Sequence, residues 1–175
     1  RIGAEGQGWS IAKFLLENER GGSCYAPRLL QSIAHLEQLA HTQPSGIGGM
    51  IGHDPRLRDR LARVRLEAEA LEFTELRILA ELTKGRAPGP QTSLVKLLGS
   101  NIGQQIDTLR IEMLGPDALQ LPLERPLYGN EAPEPVGSED AQSAMVQYLN
   151  NRAATIFGGS DEVQKNIIAK TVLGL

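Results

Sequence analysis

The stretch Asp54–Gly85, DPRLRDRLARVRLEAEALEFTELRILAELTKG, decides the fold. Asp54 is a helix-capping residue, and Pro55 stands at the first helical position, where a missing N–H costs no ladder bond. Leu57, Leu61, Val64, Ala68 and Leu71 recur at spacings of four and three, and Ile78 and Leu82 resume the stripe. That is one face of a 3.6-residue period. The spacing predicts a helix running to Lys84 and stopped at Gly85. Arg56, Arg58, Arg60, Arg63 and Arg65 load its first half, and Glu67, Glu69, Glu72 and Glu75 follow. Such a series reads as a solvated face laced with helical ion pairs, with an anion-contacting end as the sharper alternative.

Upstream, the period extends from about Trp9 to Ala40, through Ile11, Phe14 and Leu15 and then Leu29, Leu30, Ile33, Leu36 and Leu39 or Ala40. Gly21, Gly22 and Pro27 interrupt it, so a kink or break, or a close approach of another group to the bare backbone, is expected near residues 21–27. A Gly- and Ser-rich loop from His41 to His53 contains GIGGMIG. This string fails the G-x-G-x-x-G pattern at Ile51 and follows no strand, so it is not a dinucleotide fingerprint.

Downstream, RAPGPQTS is a turn, and a third helix is predicted from about Pro90 to Leu114. Its stripe is Leu94, Leu97 or Leu98, Ile102, Ile106, Leu109 and Met113, and Gly115-Pro116 ends it. Residues 115–138 hold Pro116, Pro122, Pro126, Pro133 and Pro135 and read as a surface excursion. Ser138 starts a fourth helix reaching about Arg152. Ser160 caps a last one, with Asp161 and Glu162 in its first turn, burying Val163, Ile167 and Ile168 and ending at Gly174. No segment alternates as a strand does. The expected fold is all-α: one domain over residues 1–175, an antiparallel four-helix bundle with a short extra C-terminal helix.

Composition narrows the function. The 175 residues suit one domain; 41% are hydrophobic, 22% are charged and the formal net charge is −3. A nucleic-acid groove built on bulk positive charge is excluded. The single cysteine, Cys24, forms no internal disulfide and fits a reducing compartment, hence a cytoplasmic location; it is expected to be a buried, inert thiol. No apolar run has the length of a membrane span. The first ten residues lack the apolar core of a signal peptide, and with no initiator Met the chain is expected to be part of a longer one. His35, His41 and His53 form no ligand spacing, so no metal site is expected. Glu17 and Glu19 lie about 200° apart on a helix and cannot act as one carboxylate pair. The string IFGGSDE, residues 156–162, sets two glycines directly before a capped helix N-terminus. Such an end offers free N–H groups to an anion or a polar cofactor edge; the alternative is a tight interhelical turn.

RAATIFGGSDEVQKNIIAKTVLGL, residues 152–175, resembles the closing signature of the acyl-CoA dehydrogenases, an Ile-Tyr/Phe-x-Gly-Ser/Thr-x-Glu/Gln-hydrophobic-Gln turn followed by Ile-Ile-Ala. GAEGQGW resembles the exit from that family's β-domain, LLENERGG the start of its first bundle helix, and Pro88–Lys96 its bacterial branches. The resemblance covers essentially the whole chain and implies the C-terminal helical domain of such an enzyme. It also implies FAD as cofactor, an acyl-CoA substrate oxidised to the 2,3-enoyl-CoA, and an electron-transfer flavoprotein as acceptor. The implied assembly is a homodimer or homotetramer, or a heteromer. The family places its catalytic base either before Gly-Ser/Thr in the closing turn, here Gly158, which has no side chain, or on the first bundle helix before an Arg. The second position is Glu19, followed by Arg20. The resemblance therefore implies Glu19 as general base, Arg20 as an acyl-CoA contact, and Gly159, Ser160 and Glu162 as flavin contacts. Glu112 and Gly115 stand where the family has a Gln-x-x-Gly-Gly flavin element, and its Arg-x-x-Phe-Gly element has no counterpart here. Two rival expectations are a non-catalytic assembly subunit of such an enzyme and an unrelated four-helix interaction domain.

Overall fold

A computed structural model describes residues 2–21, 24–46, 48–86, 88–120 and 137–175, with the backbone alone for 17–21. The described residues form six α-helices and no strand: α1 (Gly8–Gly21), α2 (Ala26–Thr42), α3 (Pro55–Leu82), α4 (Gln91–Leu114), α5 (Glu139–Asn151) and α6 (Asp161–Ile168). Short 3-10 turns lie at Ile51–His53, Gly115–Leu119 and Arg152–Thr155, and a π-helical turn, Ala169–Leu173, continues α6. The expected all-α bundle is the observed one. Helix α4 is its hub and packs against α2, α3, α5 and α6; α1 lies more lightly against α4.

The local signals act where the sequence put them. Asp54 accepts the Arg56 N–H at 2.9 Å and opens α3. Ser138 accepts from Ala141 and Ser160 from Val163, opening α5 and α6. The α2, α3 and α4 stripes meet in one core, in which Ile33, Leu36, Leu71, Ile102 and Leu109 are fully buried. Truncating any of them to Ala costs about 2–5 kcal/mol.

Several expectations need correction. The helix expected over 9–40 is two helices, because the break near residues 21–27 is complete. Phe14, Leu15 and Leu98 are exposed, and so is Val163; the residue that α6 buries fully is Gln164. Cys24 is exposed, not buried. At the GIGGMIG stretch, of which Ile47 lies outside the described residues, Pro44 bridges Met50. The arginine-rich half of α3 is the solvated, ion-paired face: Arg63 bonds Asp59, Arg65 bonds Glu69 and Glu37, and Arg60 pairs with Glu112. Most of the Pro-rich excursion, residues 121–136, lies outside the described residues.

Candidate functional site

The site is built around the α1–α2 break and the turn before α6. Helix α2 begins without a side-chain cap of its own. Its N-terminal donors are met instead by Glu75, a buried residue of α3, whose carboxylate accepts the Tyr25 N–H at 2.7 Å and the Ala26 N–H at 3.2 Å. Burial, and then the neighbouring Glu75 charge, push the Tyr25 phenol above its ordinary value. The Tyr25 ring lies directly on Gly99 of α4, where any Cβ would overlap it. Helix α2 is thus fixed to α3 by charge and to α4 by a bare backbone.

The closing turn is held from the polar side of α4. Asn101 donates to Asp161 at 3.0 Å, and the buried Lys96 ammonium stands 3.5 Å from the same carboxylate. Gln104 donates to the Asn151 carbonyl at 2.9 Å, and Asp107 accepts from the Asn151 amide at 2.6 Å. Arg110 reaches Asp140 at 2.7 Å and Gln147 at 2.5 Å, while His35 meets Asp140 at 2.7 Å. Within the turn, the buried Gln164 amide donates to the carbonyls of Gly158 and Gly159, both at 3.3 Å. Gly158 and Gly159 have φ of 68° and 97°, a region that disfavours a side chain. Among the described residues no backbone bond leaves the N–H of Gly158, Gly159 or Ser160. The turn therefore ties its carbonyls inward and leaves its donors free, and the space beside the Gly158 Cα is open. The Glu162 carboxyl is held below the usual range by its own N–H and by the Ser160 hydroxyl.

Two clefts flank these elements. One of about 550 Å³ lies between α1 (Trp9, Lys13, Leu16), the Pro88–Ser93 turn and α6 (Val163, Ile167). The other, of about 510 Å³, runs from Cys24 and Tyr25 past Gly99, Gly103 and Asp107 to Phe157. Residues just after α1 and just before Gly158 therefore border one cavity.

The sequence-predicted residues divide accordingly. Gly159, Ser160 and Glu162 stand together at the start of α6. Glu19 and Arg20 occupy the last turn of α1, three and four positions after the cleft-lining Leu16; their side chains lie outside the described residues. Glu112 and Gly115 do not join this group. They close the far end of α4, eleven residues or about 16 Å of helix beyond Asn101. The Glu112 carboxylate is taken by Arg60. Sequence reasoning missed Lys96, Gln104, Asp107 and Gln164, all polar at or near helix positions read as apolar stripe or ordinary surface. For Lys96, Gln104 and Asp107 the only signal was that α4 carries polar residues among its stripe; Gln164, on α6, is the Gln that closes the turn motif.

The chain matches the family model "Acyl-CoA dehydrogenase, C-terminal domain" over residues 6–173. It is 31% identical to acyl-CoA dehydrogenase IpdE1 of Mycobacterium tuberculosis over 180 residues, covering 99% of this chain and 40% of that protein. Acyl-CoA dehydrogenase FadE34 of the same organism is 27% identical over 174 residues, covering 99% of this chain and 20% of that protein. Among solved structures, PigA with FAD and proline superposes with a TM-score of 0.76 at 22% identity, over 100% of this chain and 41% of that one. A chain of the ChsE4-ChsE5 complex from Mycobacterium tuberculosis gives 0.75 at 24%, over 100% and 42%. The chain spans at most two fifths of the length of these curated relatives. With its closing turn, its helical bundle and a family match across nearly all of its residues, this chain belongs to the acyl-CoA dehydrogenase family and corresponds to that family's C-terminal domain.

Proposed function

We propose that this chain is the C-terminal bundle of a longer, FAD-dependent enzyme that oxidises an acyl-CoA thioester to the 2,3-enoyl-CoA. The observation that carries the reading is a complementary pair: Gly158, with no side chain, at one position the family uses for its base, and Glu19 followed by Arg20 at the other. Support comes from one cavity that is lined by Cys24 and Tyr25, five and six residues after Glu19, and by Phe157, the residue before Gly158.

In this reading Glu19 removes the α-proton: the Cα–H bond breaks, the proton passes to the carboxylate, and its electron pair enters the thioester as enolate character. A base of this kind must be ionised and shielded from water. Arg20 holds the acyl-CoA. FAD, when bound, supplies the acceptor for the β-hydride. The turn suits a flavin's polar edge, because Gln164 takes up the carbonyls of Gly158 and Gly159 while, among the described residues, no backbone bond leaves the N–H of Gly158, Gly159 or Ser160. Gly159, Ser160 and Glu162 would hold that edge. Glu112 and Gly115 would meet a remoter part of the same extended cofactor, after Glu112 releases Arg60. An electron-transfer flavoprotein takes the electrons onward. The enzyme works in the cytoplasm as a homodimer, a homotetramer or a heteromer; the structural neighbour from the ChsE4-ChsE5 complex supports the last. No helix among the described residues is long and apolar enough to cross a membrane.

The test is reduction of the flavin by acyl-CoA in the holoenzyme that carries this chain. Bleaching of the flavin absorbance on mixing, abolished by Glu19→Gln, is the expected result. A colourless full-length protein would remove the flavoenzyme reading. A yellow protein unaffected by Glu19→Gln would assign the base to a partner chain and leave this one the assembly role.

A further inference from the structure

Lys96 is a buried residue of α4, and its ammonium has no contact with solvent. Among the described residues it makes no hydrogen bond, and neither do two buried acceptors of α6, Asp161 Oδ1 and Gln164 Oε1. Buried polar groups left unpaired cost stability, so a native fold that keeps them calls for an explanation beyond packing.

The placement is also electrostatically adverse. The start of α6 is the positive end of its helix dipole, where a cation is disfavoured. The ammonium is held there by the Asp161 carboxylate, 3.5 Å from it. The other oxygen of that carboxylate accepts from Asn101 at 3.0 Å. Two residues five apart on α4 therefore grip the first residue of α6, one through each carboxylate oxygen. That residue directly follows Gly158, Gly159 and Ser160. The bonds within the turn are long: 3.3 Å from Gln164 to each glycine carbonyl and 3.4 Å from the Val163 N–H to the Ser160 hydroxyl. The position of the turn accordingly depends on the hold on Asp161.

We propose that Lys96 is a positioning residue for the flavin: through Asp161 it sets the start of α6 so that the N–H groups of Gly158, Gly159 and Ser160 meet the cofactor. Donors so placed favour the reduced flavin, which carries the greater negative charge, over the oxidised one. The inference rests on the flavin reading above and adds to it a residue that lies outside the turn. Because its ammonium is enclosed, Lys96 acts through Asp161 and not by contact.

The test uses the full-length enzyme that carries this chain, stripped of flavin and titrated with FAD. The midpoint potential of the reconstituted flavin is measured beside the melting temperature of the apoprotein. Lys96→Met keeps the length and loses the charge. It should bind FAD about tenfold more weakly or worse, as on removal of an outer group that orients a ligating one. The reduced flavin should lose about a further tenfold, which lowers the two-electron midpoint potential by about 30 mV. This variant leaves the Asp161 charge buried without its cation, so its melting temperature should fall as well. Lys96→Met with Asp161→Asn removes both charges and should regain most of the melting temperature. Its flavin affinity and potential should stay low. Parental affinity and potential in this double variant would make the pair purely structural and overturn the proposal. Should neither variant fold, Asn101→Ala decides, since it frees the other oxygen of the same carboxylate: weaker binding and a lower potential are expected, and parental values would overturn the proposal while leaving the flavin reading intact. A parent enzyme that binds no FAD would overturn both.

Discussion

The Glu75 carboxylate accepts the Tyr25 N–H at 2.7 Å across fifty residues of sequence, so a side chain of α3 caps the start of α2. The contact fixes where the chain resumes after the α1–α2 break. Glu75→Ala removes the acceptor from two N–H groups and leaves them in a dry site. The expected loss is about 2 kcal/mol. Urea unfolding should show a lower midpoint at unchanged slope, and Glu75→Gln, which keeps one acceptor oxygen, should lose less. An unchanged midpoint in Glu75→Ala would remove the capping role.

For the base, Glu19→Gln keeps size and most hydrogen bonding but cannot take a proton. Turnover in the holoenzyme should fall by at least about 100-fold, with folding, colour and acyl-CoA binding retained. Glu17→Gln, about 200° round the helix, is the control and should be near neutral.

Relocating the base is a sharper case. In Glu19→Gln with Gly158→Glu, the new Cβ has room, since nothing lies within 4 Å of its position. The φ of 68° at that residue nevertheless strains any side chain, by about 1–2 kcal/mol. Partial recovery of activity is expected together with a lower melting temperature. Gly158→Ala should show the same thermal loss alone, which separates strain from chemistry.

Two carboxylates should give opposite pH signatures. Partial burial pushes the Asp140 carboxyl up, but bonds from His35 and Arg110 outweigh it and hold the group below the ordinary 3.8. Its contribution is present above that value and is lost as pH falls through the lower folded-state pKa. Asp107 is raised above 3.8 by burial. The folded protein keeps its proton longer, so stability falls as pH rises from about 3.8 through the folded-state pKa. Relative to the parent, Asp140→Asn should therefore lose stability as pH rises from 2 to about 4, and Asp107→Asn should gain it on going above about 4. Urea midpoints across this range check both signs; parallel curves would contradict them.

Assembly has its own test. Leu66 and Phe73 are exposed on the side of α3 opposite the face formed by Val64, Ala68 and Leu71, and Leu76 and Leu79 extend the exposed apolar surface round the helix toward that face. If the oligomer packs through bundle helices, Leu66→Glu with Phe73→Glu should reduce the mass seen by light scattering. Both positions are exposed, so monomer stability should change little, within about 0.5 kcal/mol each. An unchanged mass would place the interface elsewhere.

The residues of the candidate site were legible to different depths. Gly159, Ser160 and Glu162 could be read as one turn because a capped N-terminus after two glycines is a local pattern. Glu112 and Gly115 were grouped with them by motif, yet the length of α4 separates the two groups. Asp107 gave no local signal: a lone Asp in a helix reads as surface until the helices around it are placed.

The sequence by itself determined the helical class and the starts of α3, α5 and α6. Asp54, Ser138 and Ser160 cap through bonds to residues two or three positions away, and the stripes of α2, α3 and α4 follow from a 3.6-residue period. Such interactions need no distant partner. Only the tertiary structure decided which polar groups are buried and what holds the turn. The local stripe of α6 favoured Val163 as its core residue, but the fold buries Gln164, because its amide satisfies two carbonyls of the closing turn. Likewise Glu75 lies within a run of charges that reads as solvated, and it enters the interior because the uncapped start of α2 supplies donors there. A buried polar side chain is stable only where its partners are, and those partners come from elements far apart in sequence.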